Sequence, residues 1–310
     1  MTDAVWTHIF ADPADHERIP WARGSLKFRA APATAGLLSF QLVDDWIRYR
    51  RLRYPQFQVN LPSGGVPPTV ITETRSYLAL SMQGSPVAER VAEQLQRGAT
   101  LRLVDIEDWY APVTEICTAL GETLNLVSRA YGFYTPPGDD GVHAHWDDAD
   151  IFAIQVDGSK TWRLWDVPPV DAWPASQTLD GSREPDRIVE LHPGDGLYIP
   201  AGMGHQAAAG PDGSLHLSIA LRPLTYREVV NVWAAEVIES VTAGARLPVV
   251  GDREAVIREL LDTAVTAAQK VDPAAVIARA DQLVEPLVSD VPLIPGATPR
   301  AAGAHPRPAS

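Results

Sequence analysis

Residues 142–165 read VHAHWDDADIFAIQVDGSKTWRLW, and the fold turns on how they are read. Ile151 to Val156 is an unbroken β-prone run, and Gly158-Ser159 turns it into a second strand, Lys160 to Trp165, so a hairpin is expected. Just upstream stand His145, Trp146 and Asp147. On an extended strand, residues two apart point to the same side, so an imidazole and a carboxylate share one face. Further along, residues 191–210 read LHPGDGLYIPAGMGHQAAAG: a turn, a short apolar strand, a turn, then a flexible Ala201–Gly204 loop that aims His205 inward. Two imidazoles and one carboxylate on one face of a metal leave the opposite positions open. That donor set suits non-haem ferrous iron in oxygenases. His143 is a rival ligand because it too is two residues from His145, but Asp147 supplies the anionic donor that a ferrous site wants.

The chain has 310 residues, 45% hydrophobic and 21% charged, room for one large β-barrel and a smaller partner. No run approaches the length of a membrane span, and the N-terminal residues lack a basic-then-apolar signal pattern. The single cysteine, Cys117, excludes an intrachain disulfide framework and a cysteine-rich zinc site, and reads as a small buried hydrophobe. A cytoplasmic protein is expected. With 26 basic and 39 acidic residues the net charge is −13, which repels phosphate backbones and disfavours direct nucleic-acid binding.

Upstream of the deciding stretch, residues 43–51 form a short helix carrying part of a basic cluster, Arg48, Arg50, Arg51 and Arg53. That cluster is either a solvated face or a seat for an acidic group. A loop rich in Gly and Pro (61–70) is placed near the mouth of the site. A helix from Ser85 to Arg97 presents Val87, Val91 and Leu95. A strand follows from Ala99 to Val104, then a helix from Val113 to Ser128 with Ile116, Leu120 and Leu124 in register, then a strand from Tyr131 to Thr135. Beyond Arg222, three amphipathic helices are expected over Tyr226–Val241, Asp252–Lys270 and Asp272–Leu287. Residues 291–310, rich in Pro and Ala, read as a disordered tail. The fold class is mainly β with α, a barrel clad by helices plus a C-terminal all-helical segment. The domain division is 1–222, 223–290 and 291–310.

The His-x-Asp pair, the Gly-x-Lys-x-Trp stretch 158–162 and the PGDGLYIPAGMGH stretch 193–205 resemble the JmjC-type cupin oxygenases dependent on Fe(II) and 2-oxoglutarate. Over about residues 125–222 the chain is most similar to their ribosomal oxygenase branch. That resemblance implies a double-stranded β-helix. It makes His145, Asp147 and His205 the metal ligands and catalytic centre, and Lys160 the anchor of the cosubstrate's distal carboxylate. Ser218 and Thr135 fall among the cosubstrate-binding positions. The cofactors implied are Fe(II), 2-oxoglutarate and dioxygen. The reaction implied is hydroxylation of an aliphatic carbon in a peptide, protein or amino-acid-like substrate, or demethylation where that carbon bears a heteroatom. A cation facing a carboxylate gives a charge-assisted hydrogen bond, although a lysine after a turn glycine is ordinarily just an exposed hairpin residue. His216 is expected beside the site or in the core. The family habit of pairing through helices after the barrel implies a homodimer.

Tyr131 and Phe133 occupy the substrate-facing positions where eukaryotic members carry an Asn-x-Tyr pair. Losing those polar contacts argues for a substrate other than a ribosomal protein: a peptide, a carrier-linked residue or a free amino-acid-like molecule. No winged-helix module of the longer members is expected. Two other readings stand beside this one: a metal cupin with isomerase or hydrolase chemistry, and a catalytically silent binding protein.

Overall fold

The computed structural model describes residues 3–21, 24–166, 178–241 and 252–281. In chain order its elements are α1 (Asp3–Trp6), β1 (Leu26–Arg29), α2 (Pro32–Ala35), α3 (Phe40–Arg48), β2 (Phe57–Leu61), β3 (Gly64–Gly65) and α4 (Pro68–Ile71). Next come β4 (Thr72–Tyr77), β5 (Leu80–Pro86), α5 (Ala88–Gln96), β6 (Thr100–Leu103), α6 (Ala111–Leu124) and β7 (Val127–Thr135). The remainder are β8 (Asp150–Trp165), β9 (Arg187–Leu191), β10 (Asp195–Ile199), β11 (Gly204–Arg222), α7 (Tyr226–Val241), α8 (Arg253–Ala268) and α9 (Pro273–Asp281).

The main sheet runs β1-β10-β8-β11-β7-β6-β2-β3, with β9 paired to β8, and every pairing is antiparallel. This is the double-stranded β-helix, and β8 and β11 are its frame. The first half of β8 pairs with β10 and with residues 215–221 of β11; its second half pairs with β9 and with residues 204–209. The expected hairpin at Gly158-Ser159 is therefore a correction: residues 150–165 are one continuous strand. Gly158 has φ +62° and only bends it, because both halves find partners in the same neighbouring strand. A side chain at Gly158 would lie 2.1 Å from the carbonyl oxygen of Gly213, itself at φ +81°. The two backbones cross there without room for a Cβ.

Strand alternation separates two faces. Leu215, Leu217, Ile219 and Leu221 of β11 join the main core, which they share with Val43, Trp46 and Ile47 of α3 and Val113, Ile116, Cys117 and Leu120 of α6. The opposite face is the barrel interior, walled by Ile151, Ala153, Trp162, Leu164, Leu197 and Met203. Ser214, His216 and Ser218 are buried on that side of β11.

Other expectations shift. α6 stops at Asn125, whose φ of +51° is left-handed, so Ser128 belongs to β7. α5 starts at Ala88, because Ser85 and Pro86 finish β5, half of an unanticipated hairpin with β4. The Ser39 hydroxyl accepts from the Leu42 N–H at 3.1 Å and starts α3 earlier than expected. Loop 61–70 holds β3 and α4 at the end of the strand order beyond β2. The basic cluster is used internally: Arg48 pairs with Asp44, Arg50 approaches Glu73, and Arg53 donates to the carbonyls of Arg50 and Leu52. α7 and α9 meet around Val232, Val276 and Ala280, and Arg279 pairs with Glu236 and Glu239. Residues 282–310, including the tail and the end of the third expected helix, lie outside the described residues.

Candidate metal centre

His145 does not sit on a strand; it lies in the segment before β8, and so does Asp147. Extended geometry is nonetheless imposed on it by pairing. The His145 N–H donates to the His205 carbonyl at 3.1 Å, and the His205 N–H donates back at 2.7 Å. His205 is accordingly the second residue of β11, ordered by this exchange and not carried on a flexible loop. The Gly202 N–H donates to the Asp147 carbonyl at 2.8 Å and ties the next two residues to the same turn. The imidazole centroids stand 4.3 Å apart.

Both imidazoles are held by the same device. His145 Nδ1 lies 2.7 Å from the carbonyl of His143, and His205 Nδ1 lies 3.1 Å from that of Met203. A ring nitrogen facing a carbonyl is the protonated one, which leaves Nε2 as a lone pair. Those lone pairs face Asp147, at 3.9 Å from His145 and 3.5 Å from His205. Three ligand atoms thus lie within 4.8 Å of one another. Burial, reinforced by repulsion from His145, pushes His205 down to about 4, so its ring is neutral at physiological pH. Two imidazole nitrogens and a carboxylate converging in this way form a donor set that a divalent cation completes. The His143 ring is exposed; only its backbone serves the site.

Deeper in the barrel Lys160 is 3% exposed, not the surface residue that hairpin lysines usually are. Its Nζ lies 3.2 Å from Thr135 Oγ1 and 3.3 Å from His216 Nδ1, and Thr135 Oγ1 in turn lies 3.2 Å from Thr100 Oγ1. Among the described residues no carboxylate pairs with Lys160, and burial pushes its ammonium down to about 7. His216 stacks flat on Phe133, centroids 5.0 Å apart, and meets Trp162 edge-on at 5.3 Å. Burial, then Lys160, holds its ring well below the usual imidazole range. Trp162 is 5.9 Å from His205, and its buried Nε1 has no partner among the described residues. Ser218 lies opposite Tyr131 and Ala153 in the sheet. A buried cation without an anion, and an unsatisfied indole N–H two residues along the same strand, leave polar groups uncompensated. A carboxylate-bearing cosubstrate fits that deficit. Cys117 is buried away from these groups, its thiol pushed up to about 12 by burial.

Tyr131 and Phe133 both face the interior, but their rings already have company. The guanidinium carbon of Arg102, on β6, lies 4.5 Å from the Tyr131 centroid and 5.7 Å from that of Phe133. The sequence reading passed over Arg102. The signal is there, since Leu101 and Leu103 are core residues and the alternation puts Thr100 and Arg102 on the other face.

Residues 109–229 match the JmjC domain family. Among curated proteins the chain is 29% identical over 203 residues to the bifunctional lysine-specific demethylase and histidyl-hydroxylase NO66 of Drosophila persimilis. That match covers 62% of this chain and 28% of the fly protein. The Dictyostelium discoideum protein of the same name is 31% identical over 149 residues, covering 46% and 29%. The chain therefore spans less than a third of the length of these relatives. Among solved structures, ycfD of Escherichia coli superposes with a TM-score of 0.53 at 19% identity, covering 82% of this chain and 67% of that one. YcfD described as a ribosomal oxygenase in complex with cobalt and 2-oxoglutarate gives 0.50 at 18%, covering 82% and 66%. At these identities the likeness concerns the fold, the double-stranded β-helix described above, whose strands β7–β11 lie within the matched residues 109–229.

Proposed function

We propose that this JmjC protein is an Fe(II)- and 2-oxoglutarate-dependent oxygenase that hydroxylates an aliphatic carbon of a peptide, protein or amino-acid-like substrate. The observation that carries the reading is the pairing of two deficits in one barrel. His145, Asp147 and His205 present three ligand atoms within 4.8 Å of one another, and Lys160 is a buried cation with no carboxylate of its own among the described residues. In this reading His145, Asp147 and His205 hold the metal, their rings fixed by the carbonyls of His143 and Met203. Lys160 takes the distal carboxylate of 2-oxoglutarate, with the Thr135 hydroxyl and Trp162 N–H beside it and Ser218 on the same wall. Ferrous iron with 2-oxoglutarate and dioxygen supplies the oxidation of a C–H bond, with succinate and carbon dioxide as the other products. The chain's own part is ligation, orientation and exclusion of water by Ile151, Ala153, Leu164, Leu197 and Met203.

A metal cupin with isomerase or hydrolase chemistry has no use for a buried lysine awaiting an anion, and a silent binding protein has no use for clipped imidazoles. Around this centre we place an oxygenase unit over 1–222 and a helical unit over 223–290 that pairs two chains. The setting is cytoplasmic and without direct nucleic-acid contact. Among the described residues no helix is long and apolar enough to cross a membrane.

Anaerobic titration of the purified protein with ferrous salt and 2-oxoglutarate tests the reading. The metal-to-ligand charge-transfer band is expected to saturate at one equivalent, and His145→Ala should abolish it. A band that forms unchanged in that variant would sink the assignment.

A further inference from the structure

Five rings and a cation form an unbroken line across the barrel interior. His145 meets His205 at 4.3 Å, His205 meets Trp162 at 5.9 Å, Trp162 meets His216 at 5.3 Å, and His216 stacks on Phe133 at 5.0 Å. Arg102 closes the line, its guanidinium carbon 5.7 Å from the Phe133 centroid and 4.5 Å from that of Tyr131. The register explains the order, because Arg102 is paired with Phe133 across β6 and β7, and Phe133 with His216 across β7 and β11.

Arg102 differs from most arginines of the barrel, and from Arg187, which has no ion pair but donates to Ser25. Arg129 has Glu107, Arg163 approaches Asp140, and Arg222 has Glu228 and Asp148. Arg102 forms no ion pair among the described residues, and its Nε is buried without a hydrogen-bond partner. The strand pair holds the guanidinium carbon over an aromatic ring, and no hydrogen bond or ion pair among the described residues takes up its N–H groups. A planar fork fixed in this way matches a carboxylate.

The charges then count out. Lys160, on the far side of His216 and Phe133, already answers the distal carboxylate of 2-oxoglutarate in the proposed reading. A second cation on the same wall is left for another anion. We propose that Arg102, stacked on Tyr131 and beside Phe133, binds a carboxylate of the substrate, so that the substrate is a small amino-acid-like acid. The Tyr131 face is occupied by Arg102. The inference rests on the oxygenase reading for its name of substrate, but its test does not.

Ligand-observed NMR on the full-length protein reads it. The probes are free amino acids, N-acetyl amino acids and the amides of both. Free acids are expected to bind at least about tenfold more tightly than their amides. The preference should vanish in Arg102→Met and be only partly restored in Arg102→Lys, which keeps the charge but not the fork. Binding of the N-acetyl acids as well would extend the site to C-terminal residues of peptides; binding of the free acids alone would confine it to amino acids. In parallel, calorimetric titration with 2-oxoglutarate separates the two cations, Lys160→Ala losing affinity and Arg102→Met retaining it. No acid-over-amide preference in the wild type, or one that survives in Arg102→Met, overturns the proposal. So does a loss of 2-oxoglutarate binding in Arg102→Met, which would make Arg102 the cosubstrate anchor. If 2-oxoglutarate binds none of the proteins while the Arg102-dependent preference stands, the oxygenase reading fails and the carboxylate site survives it.

Discussion

Lys160 carries two tests at the level of a single side chain. If its ammonium meets a carboxylate, Lys160→Ala should weaken 2-oxoglutarate binding by about 1.5–3 kcal/mol, roughly 10- to 150-fold, and leave iron binding nearly unchanged. Equal affinity for the cosubstrate in variant and wild type would return Lys160 to a purely structural role. The second test is a pH profile. Burial has lowered this group from 10.5 to about 7, so without an anion it is charged below that pH and increasingly neutral above it. An anion selects the charged form. Affinity should therefore be full below about pH 7 and fall about tenfold per unit above it, whereas Lys160→Arg, always charged, should give a flat profile by calorimetry. Stability carries the opposite sense: between about 7 and 10.5 the unfolded chain holds the proton and the folded chain does not, so the ligand-free fold gains stability as pH rises. At this scale the sequence is readable where chemistry and spacing coincide, as in His145 and Asp147. At Arg102 alternation gives only the face, because its aromatic company comes from rings on a strand more than twenty residues away in the chain.

Elements were harder to read than residues. Gly158-Ser159 carries the letters of a turn, and only the length of β11 shows that both flanks of the glycine have the same partner. The crossing gives a direct test. Gly158→Ala places a Cβ 2.1 Å from the Gly213 carbonyl oxygen at a φ of +62°. Urea denaturation should show a loss of at least about 2 kcal/mol, since the left-handed conformation alone costs about 1–2. A variant as stable as wild type would mean that the strands do not cross in this way. Helices α7–α9 are readable from their periodicity, but their purpose is not. Tyr226 is 89% exposed, and Leu261 and Val265 are each 59% exposed, a large apolar surface for helices with so small a shared core. If that surface joins two chains, the full-length protein should sediment as a dimer, and truncation after Arg222 or the pair Leu261→Glu, Val265→Glu should give a monomer. A monomeric full-length protein at micromolar concentration would assign the helices to another task.

For the whole molecule, the net charge of −13 repels a phosphate backbone, and the proposed substrate carboxylate at Arg102 calls for a small acid in place of a ribosomal protein. In a succinate-release assay, fragments of ribosomal proteins should turn over no faster than the substrate-free background, while acids selected by binding should exceed it; clean hydroxylation of a ribosomal His or Arg would reverse that conclusion. The barrel class is legible in the sequence because alternation and turn chemistry are local. The closing of the barrel is not, because it depends on which distant strand each half of β8 meets. That closure has a further consequence. Ile151 and Ala153 wall the interior and residues 160–165 flank the metal centre, yet they belong to one strand paired along another, so neither end can open as a private event. Amide protons at Ile154 and Trp162, and at Leu217 and Ala207, should consequently exchange with solvent in a single slow, denaturant-sensitive class. The catalytic end would then inherit the persistence of the deepest core, and a chain damaged anywhere along these two strands would be lost as a unit instead of surviving as a folded but inactive remnant.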